Sequence, residues 1–402
     1  RGVYLIDKFA HLVIVSYLCT LKYKVLMTDN QFKKYNLIVG WAVFAVALIT
    51  YGLTVEPTVS FWDCGEYIAT SAKLEVGHPP GAPLFQMMGA FIAAFAPNSD
   101  KIALFVNYMS VLSSAFTVLF LYFIIVNLTK KIALKRTDSV EEKTPATLTQ
   151  GQFIAVLGSG VVGALAYTFS DSFWFNAVEA EVYAMAMLFM SAMFWLGIKW
   201  TDSLHEPRGD RWLLLISLVV GLSFGVHFMA LLTIPAIGML YFFKSNYKKT
   251  VVNFIIANVV SIAILLLIFK LILPYTLAYF GYLEVFFVNS FGMPFNSGTI
   301  IAGLSVIAFF YFTLNYAYKQ NKVRLQTGVL CLLFVFIGFS SWLMIPIRAN
   351  ADTVINENSP TDARLLLAYY NLEQYPETHL FYGPMYSDKY AGLDEENPYE
   401  DA

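Results

Sequence analysis

Residues 212–243 read WLLLISLVVGLSFGVHFMALLTIPAIGMLYFF, a long apolar stretch broken near its middle only by Gly225 and His227. A helix needs about 20 residues to cross the roughly 30 Å hydrocarbon core of a bilayer, so this stretch is too long for one crossing and short for two. Lysine and arginine, which concentrate at the cytoplasmic ends of spans, decide between the readings. Lys244, Lys248 and Lys249 follow the stretch, and Lys199, Arg208 and Arg211 precede it. Both clusters share one side only if 212–243 crosses twice, as two short helices meeting at a tight turn around Gly225.

Working outward, apolar runs long enough to span occur at 36–54, 103–127, 151–169, 183–200, 251–273, 299–318 and 326–346. The same parity holds along the chain. Lys33 and Lys34 precede the first run, Lys130, Lys131, Lys135, Arg136 and Lys143 fill the second connection, and Lys319, Lys322 and Arg324 fill a later one. The opposite connections, 55–102, 170–182 and 274–298, carry only Lys73 and Lys101. The expectation is an all-α, polytopic transmembrane bundle of about nine spanning helices with a large first external loop and an external carboxyl end.

Composition agrees with that class. The chain has 402 residues, 58% of them hydrophobic, 17% aromatic and 13% charged, which is too apolar for a water-soluble globule and makes the lipid bilayer its solvent. A net charge of −2 points to no nucleic-acid partner. Cys19, Cys64 and Cys331 lie far apart, without metal-ligand or disulfide spacing, and read as incidental. The chain divides into 1–26, an N-terminal extension ahead of Met27; 27–346, the transmembrane domain, with its site loop at 55–102; and 347–402, a polar external segment whose acidic close at Glu400–Asp401 reads as truncated. The charged stretch 135–150 reads as a cytoplasmic linker.

The first external loop holds the chemistry. It contains WDCGEY at 62–67 and GHPPGAPLF at 77–85, so Asp63 and Glu66 stand three apart and share a face if the segment is helical. The run from Ala82 to Ala96 is too short to span and suits the interface. Acids held at a membrane surface fit a reaction between a lipid phosphate and a water-soluble acceptor, and ionisable groups at membrane depth are functional by default. Each feature also has a plainer reading. Asp63 and Glu66 can cap a helix, His78 can simply precede a Pro-Pro turn, and Glu179, Glu181 and Tyr183 lie in an aromatic belt with Phe173, Trp174 and Phe175. His227 can be a satisfied structural histidine, and Arg348 can snorkel at a helix end.

Asp63-Cys64-Gly65-Glu66 followed by His78-Pro79-Pro80 is similar to the Asp-Glu and His-Pro-Pro elements of protein O-mannosyltransferases. The fuller strings resemble the DUF2723 family of GT-C glycosyltransferases, with support from WFNAVEAEVYA at 174–184, GLSFGVH at 221–227 and IPIRANAD at 345–352. The resemblance implies a GT-C-type bundle and transfer of a hexose, mannose first among them, from a polyprenyl-phosphate donor to a protein Ser or Thr hydroxyl. Asp63 would be the general base, with Glu66 second. His78, Glu179, Glu181, Tyr183, His227 and Arg348 would bind substrates, His227 and Arg348 as cationic donors to the lipid phosphate. Its partners would be the polyprenyl-phosphate sugar, an acceptor protein and the bilayer. No cofactor is called for, and two carboxylates, Glu179 and Glu181, are a weak metal signal. The expected home is a bacterial inner membrane, with the site facing the periplasm. A transporter or flippase of lipid-linked sugars is the rival reading, although no two-half symmetry is evident; a truncated, inactive relative is a third.

Overall fold

The computed structural model describes residues 28–137 and 148–376, with 379, 382 and 383. The expected extension 1–26, the middle of the 135–150 linker and the acidic tail lie outside these residues. Among the described residues every regular element is helical, and a lone bridge pairs Val76 with Asn356.

Helix α1 (Asp29–Leu53) starts at Thr28, which exchanges hydrogen bonds with Gln31 in a capping box. Helices α2 (Cys64–Lys73) and α3 (Pro83–Ala93) follow in the first loop, and then α4 (Ile102–Thr137). A second capping box, Thr149 with Gln152, opens α5 (Gln150–Thr168). Next come the short α6 (Asp171–Ala177), α7 (Val182–Asp202), α8 (Arg211–Ser223), α9 (Thr233–Lys244) and α10 (Val251–Leu266). The chain continues through α11 (Leu273–Phe291), α12 (Ser297–Lys319), α13 (Val323–Phe339), α14 (Met344–Ala349) and α15 (Ala363–Asn371). Seven helical runs among the described residues are long and apolar enough to cross a membrane, and they cover the runs read from the sequence. The protein is an all-α, polytopic integral membrane protein.

The stretch 212–243 divides as the charge pattern requires. Helix α8 ends at Ser223, the chain turns through Phe224–His227, and a 3₁₀ turn at Phe228–Leu232 leads into α9. Gly225 is needed there because the start of α3 rests on it. Its carbonyl accepts from Leu84 N at 2.7 Å and Phe85 N at 3.1 Å. A Cβ would lie 2.5 Å from Ser341 Oγ and 2.7 Å from Leu84 Cβ. The turn thus anchors the first loop.

Chain contacts define two compact units. Among the described residues, the first comprises 28–74, 82–137, 148–265 and 313–342; the second comprises Glu75–Gly81, Leu266–Phe312 and those from Leu343 onward. In the first unit, Val43, Tyr51, Val111, Tyr122, Val156 and Phe173 form a core joining α1, α4, α5 and α6. A second core, built from Tyr67, Ile68, Phe85, Met109, Val182 and Val226, lies beneath α2 and α3. Helices α8 and α13 meet backbone to backbone, Gly221 against the Val335 carbonyl and Gly338 against Leu222 N, the small-residue packing that membrane helices use in place of a hydrophobic driving force.

The second unit differs from expectation. Residues 274–298 read as an external loop, yet the chain is helical to Phe291. Leu273, Leu277 and Gly281, spaced by four, form a buried face, and the Arg364 side chain of α15 covers Gly281. Pro274 has no N–H to give its helix, and the preceding turn, Leu267–Ile272, takes π-helical form. The Phe269 carbonyl, five residues before Pro274, instead accepts Tyr370 Oη–H at 3.0 Å, the kind of neighbouring donor that makes proline tolerable within a membrane helix. Packing by α15 therefore stabilises a helix where the sequence suggested a loop.

Candidate active site

Asp63 stands at the N-cap of α2, yet its side chain makes no capping hydrogen bond to that helix. The plainer reading of Asp63, as a cap, is therefore not how the carboxylate is employed. The capping role passes to the second loop: the Glu181 carboxylate accepts the Asp63 backbone N–H and, at 3.7 Å, the Cys64 thiol. Glu179 accepts from the Ser60 hydroxyl, and the Cys64 thiol lies beside the same carboxylate. Further along, Glu56 N donates to Val178 O at 3.0 Å. Asn107 of α4, 1% exposed, donates from Nδ2 to the Glu56 and Thr58 carbonyls at 2.7 and 2.8 Å. These bonds lace residues 56–64 to residues 178–181 and fix the position of Asp63. Within the laced segment Trp62 takes a left-handed φ of 58° and is 85% exposed, a conformation that a bulky residue keeps only when its surroundings enforce it.

Electrostatically the site is anionic and partly dry. Glu179 and Glu181 are 2% and 4% exposed. Burial, reinforced by the charges of Asp63 and Glu179, pushes the Glu181 carboxyl up to about 7. Burial also raises Glu179, against the donors Ser60 and Cys64. The Cys64 thiol is pushed well up by burial and by both glutamates, so it stays protonated and serves as a donor. Tyr67, one turn after Asp63, is raised by burial first, then by Glu181, Asp63, Glu66 and Tyr183.

Tyr183, in the first turn of α7, packs against His227 with ring centroids 5.3 Å apart and the ring planes tilted by 58°. His227 Nδ1 accepts the Met229 backbone N–H at 3.1 Å, which places the neutral ring's proton on Nε2. Burial lowers the His227 pKa. At neutral pH the imidazole is thus a neutral N–H donor.

The structure accordingly brings Asp63, Glu66, Glu179, Glu181, Tyr183 and His227 into one neighbourhood of the first unit. His78 and Arg348 belong to the second unit. His78 opens a turn whose Pro79–Pro80 bond is cis and whose Gly81 has a φ of +76°. Gly81 N returns to His78 O at 2.9 Å, and the Tyr369 hydroxyl, which donates to Gly77 O, crowds the space a Gly81 Cβ would need. Arg348 lies in the last turn of α14, partly buried. Among the described residues no group of three or more His, Cys, Asp or Glu gathers as for a metal ion.

Sequence reasoning missed four contributors. Cys64, read as incidental, lies between the two buried glutamates, and Ser60, Tyr67 and Asn107 escaped notice. Tyr67 was detectable, since it follows Asp63 by one helical turn. Asn107 also left a trace, as an amide within an apolar run.

Comparison with known proteins points the same way. The family described as "Protein O-mannosyl-transferase TMEM260 N-terminal domain" matches residues 63–251, a segment that begins at Asp63, contains His227 and excludes Arg348. The chain is similar to "Protein O-mannosyl-transferase tmem260" of Dictyostelium discoideum, 24% identical over 244 residues, which are 56% of this chain and 26% of that protein. It is also similar to "Protein O-mannosyl-transferase TMEM260" of Mus musculus, 24% identical over 162 residues, 40% of this chain and 19% of that protein. The matched regions span about a quarter or less of the length of these relatives. No solved structure matches.

Proposed function

We propose that this protein is a GT-C-type membrane glycosyltransferase that moves a hexose, mannose in the first instance, from a polyprenyl-phosphate carrier to a Ser or Thr hydroxyl of a protein on the non-cytoplasmic face. The observation that carries the reading is the pair of loops laced around Asp63, within the segment matched by an O-mannosyltransferase family. A carboxylate fixed beside an acceptor hydroxyl takes its proton as the new C–O bond forms, a general-base contribution of about 10²- to 10⁴-fold. The phosphate leaves with the C–O bond's electron pair and needs charge stabilisation more than a proton. Asp63 is the base and Glu66 its neighbour on the same helix. Glu181, holding its proton up to about pH 7, spares Asp63 an adjacent negative charge and anchors its backbone. His227 contributes a neutral hydrogen bond to the lipid phosphate. The host membrane in this reading is a bacterial inner membrane, with the site facing the periplasm.

The test is transfer of radiolabelled mannose from a polyprenyl-phosphate donor to protein in membranes carrying the chain, followed by alkaline release of the sugar. Label on protein, released by β-elimination, supports transfer to Ser or Thr. Label that crosses the membrane on its lipid without reaching protein would support the transporter reading instead.

A further inference from the structure

A cleft of about 360 Å³ opens beside the second loop, lined among others by Tyr167, Ser172, Phe173, Asn176, Tyr183 and Met229. Its volume falls at the small end of ligand pockets. We propose that this cleft binds the hexosyl ring of the lipid-phosphate donor, an inference that rests on the transferase reading and specifies where its sugar sits.

Three observations converge on a sugar. Tyr183 offers an exposed aromatic ring, 43% accessible, which packs at a tilt of 58° against His227, centroids 5.3 Å apart. His227 is in turn pinned by the Met229 N–H. Such a face suits the C–H side of a pyranose. In the same cleft Asn176 donates through Nδ2 to the Ser172 carbonyl at 2.9 Å, which leaves its Oδ1 as an acceptor, with the Ser172 hydroxyl and the Tyr183 phenol among the other lining groups. A ring of hydroxyls needs such a set. The cleft also adjoins the acids, because Tyr183 follows by two residues Glu181, whose carboxylate meets Cys64 next to Asp63.

Other occupants fit less well. No lysine or arginine is among the lining residues, so a phosphate would find no charged donor there. A bare isoprenoid chain would leave the serine, asparagine and tyrosine groups dry and unpaired, at a cost for each.

The experiment is equilibrium binding by the purified full chain in lipid nanodiscs, which requires no turnover. Two probes are compared, polyprenyl-phosphomannose and polyprenyl phosphate without sugar. The wild type is expected to bind the sugar-bearing lipid more tightly. Tyr183→Ala should weaken that lipid about tenfold and Asn176→Ala about three- to tenfold, with affinity for the sugar-free lipid unchanged and Tyr183→Phe retaining most of the preference. Equal binding of both lipids by the wild type, or equal losses for both in the variants, overturns the inference. A sugar preference abolished by Tyr183→Ala in a protein that transfers nothing would uphold the cleft and refute the transferase reading. Transfer by a wild type with no such preference would do the reverse.

Discussion

Two glutamates in this protein each serve the start of a helix from another element, and they do so in opposite surroundings. Glu284 of α11 accepts from Asn296 N at 2.6 Å through one oxygen, and from Thr299 N at 2.8 Å and Thr299 Oγ at 3.0 Å through the other, closing the start of α12. It is a partly exposed carboxylate with donors on both oxygens, favourably placed at the positive end of a helix. Glu181 serves α2 similarly, through the Asp63 N–H, but it is 4% exposed and shares its space with Asp63 and Glu179. A carboxylate satisfied by donors needs only its charge. One buried among other acids is driven to hold a proton, and such a perturbed group beside a second acid is where chemistry is expected.

The largest difference between the two glutamate sites is in activity. Asp63→Asn, next to Glu181, should lower hexose transfer about 10²- to 10⁴-fold, whereas Glu284→Gln should leave it within about threefold, both measured at matched protein levels. The next effect is on stability. Asn107→Ala leaves two loop carbonyls without their donor and should cost about 1–3 kcal/mol, read as a lower unfolding midpoint, with a loss of transfer because Asp63 loses its mooring. Glu284→Ala should cost less, about 0.5–2 kcal/mol by analogy with lost helix caps, with transfer retained.

The smallest effect concerns pH. A carboxyl raised from a usual value of about 4.3 to about 7 in the folded state leaves the folded protein holding a proton that the unfolded chain has lost. Between those values the folded state binds more protons, so stability falls as pH rises through the window and levels off above it. Glu181→Gln should flatten that slope by about one proton and stabilise the protein relative to wild type above pH 7. Unfolding midpoints from pH 4.5 to 8, wild type beside Glu181→Gln, would check it.

Much of the fold was legible because its signals are local or additive. The turn within 212–243 followed from apolar length and from the lysines at 244, 248 and 249, and the structure divides the stretch between Ser223 and Phe228. Helix α11 was not legible, because Pro274 and a scatter of tyrosines resemble a loop until α15 supplies Tyr370 to the Phe269 carbonyl. The spacing of Leu273, Leu277 and Gly281 was the available clue. At the site, the three-residue spacing of Asp63 and Glu66 made them candidates. The contacts of Cys64 with Glu181 and of Asn107 with Glu56 join residues 117 and 51 positions apart. Such pairings depend on how helices pack, and no local pattern encodes them.

The central claim is that Asp63 takes the acceptor's proton in a site built by the second loop. It is tested most directly by comparing labelled-hexose transfer to protein in membranes carrying wild type or Asp63→Asn at equal abundance. Asp63→Asn is expected to lose at least about a hundredfold in transfer. Equal transfer by the two would contradict it.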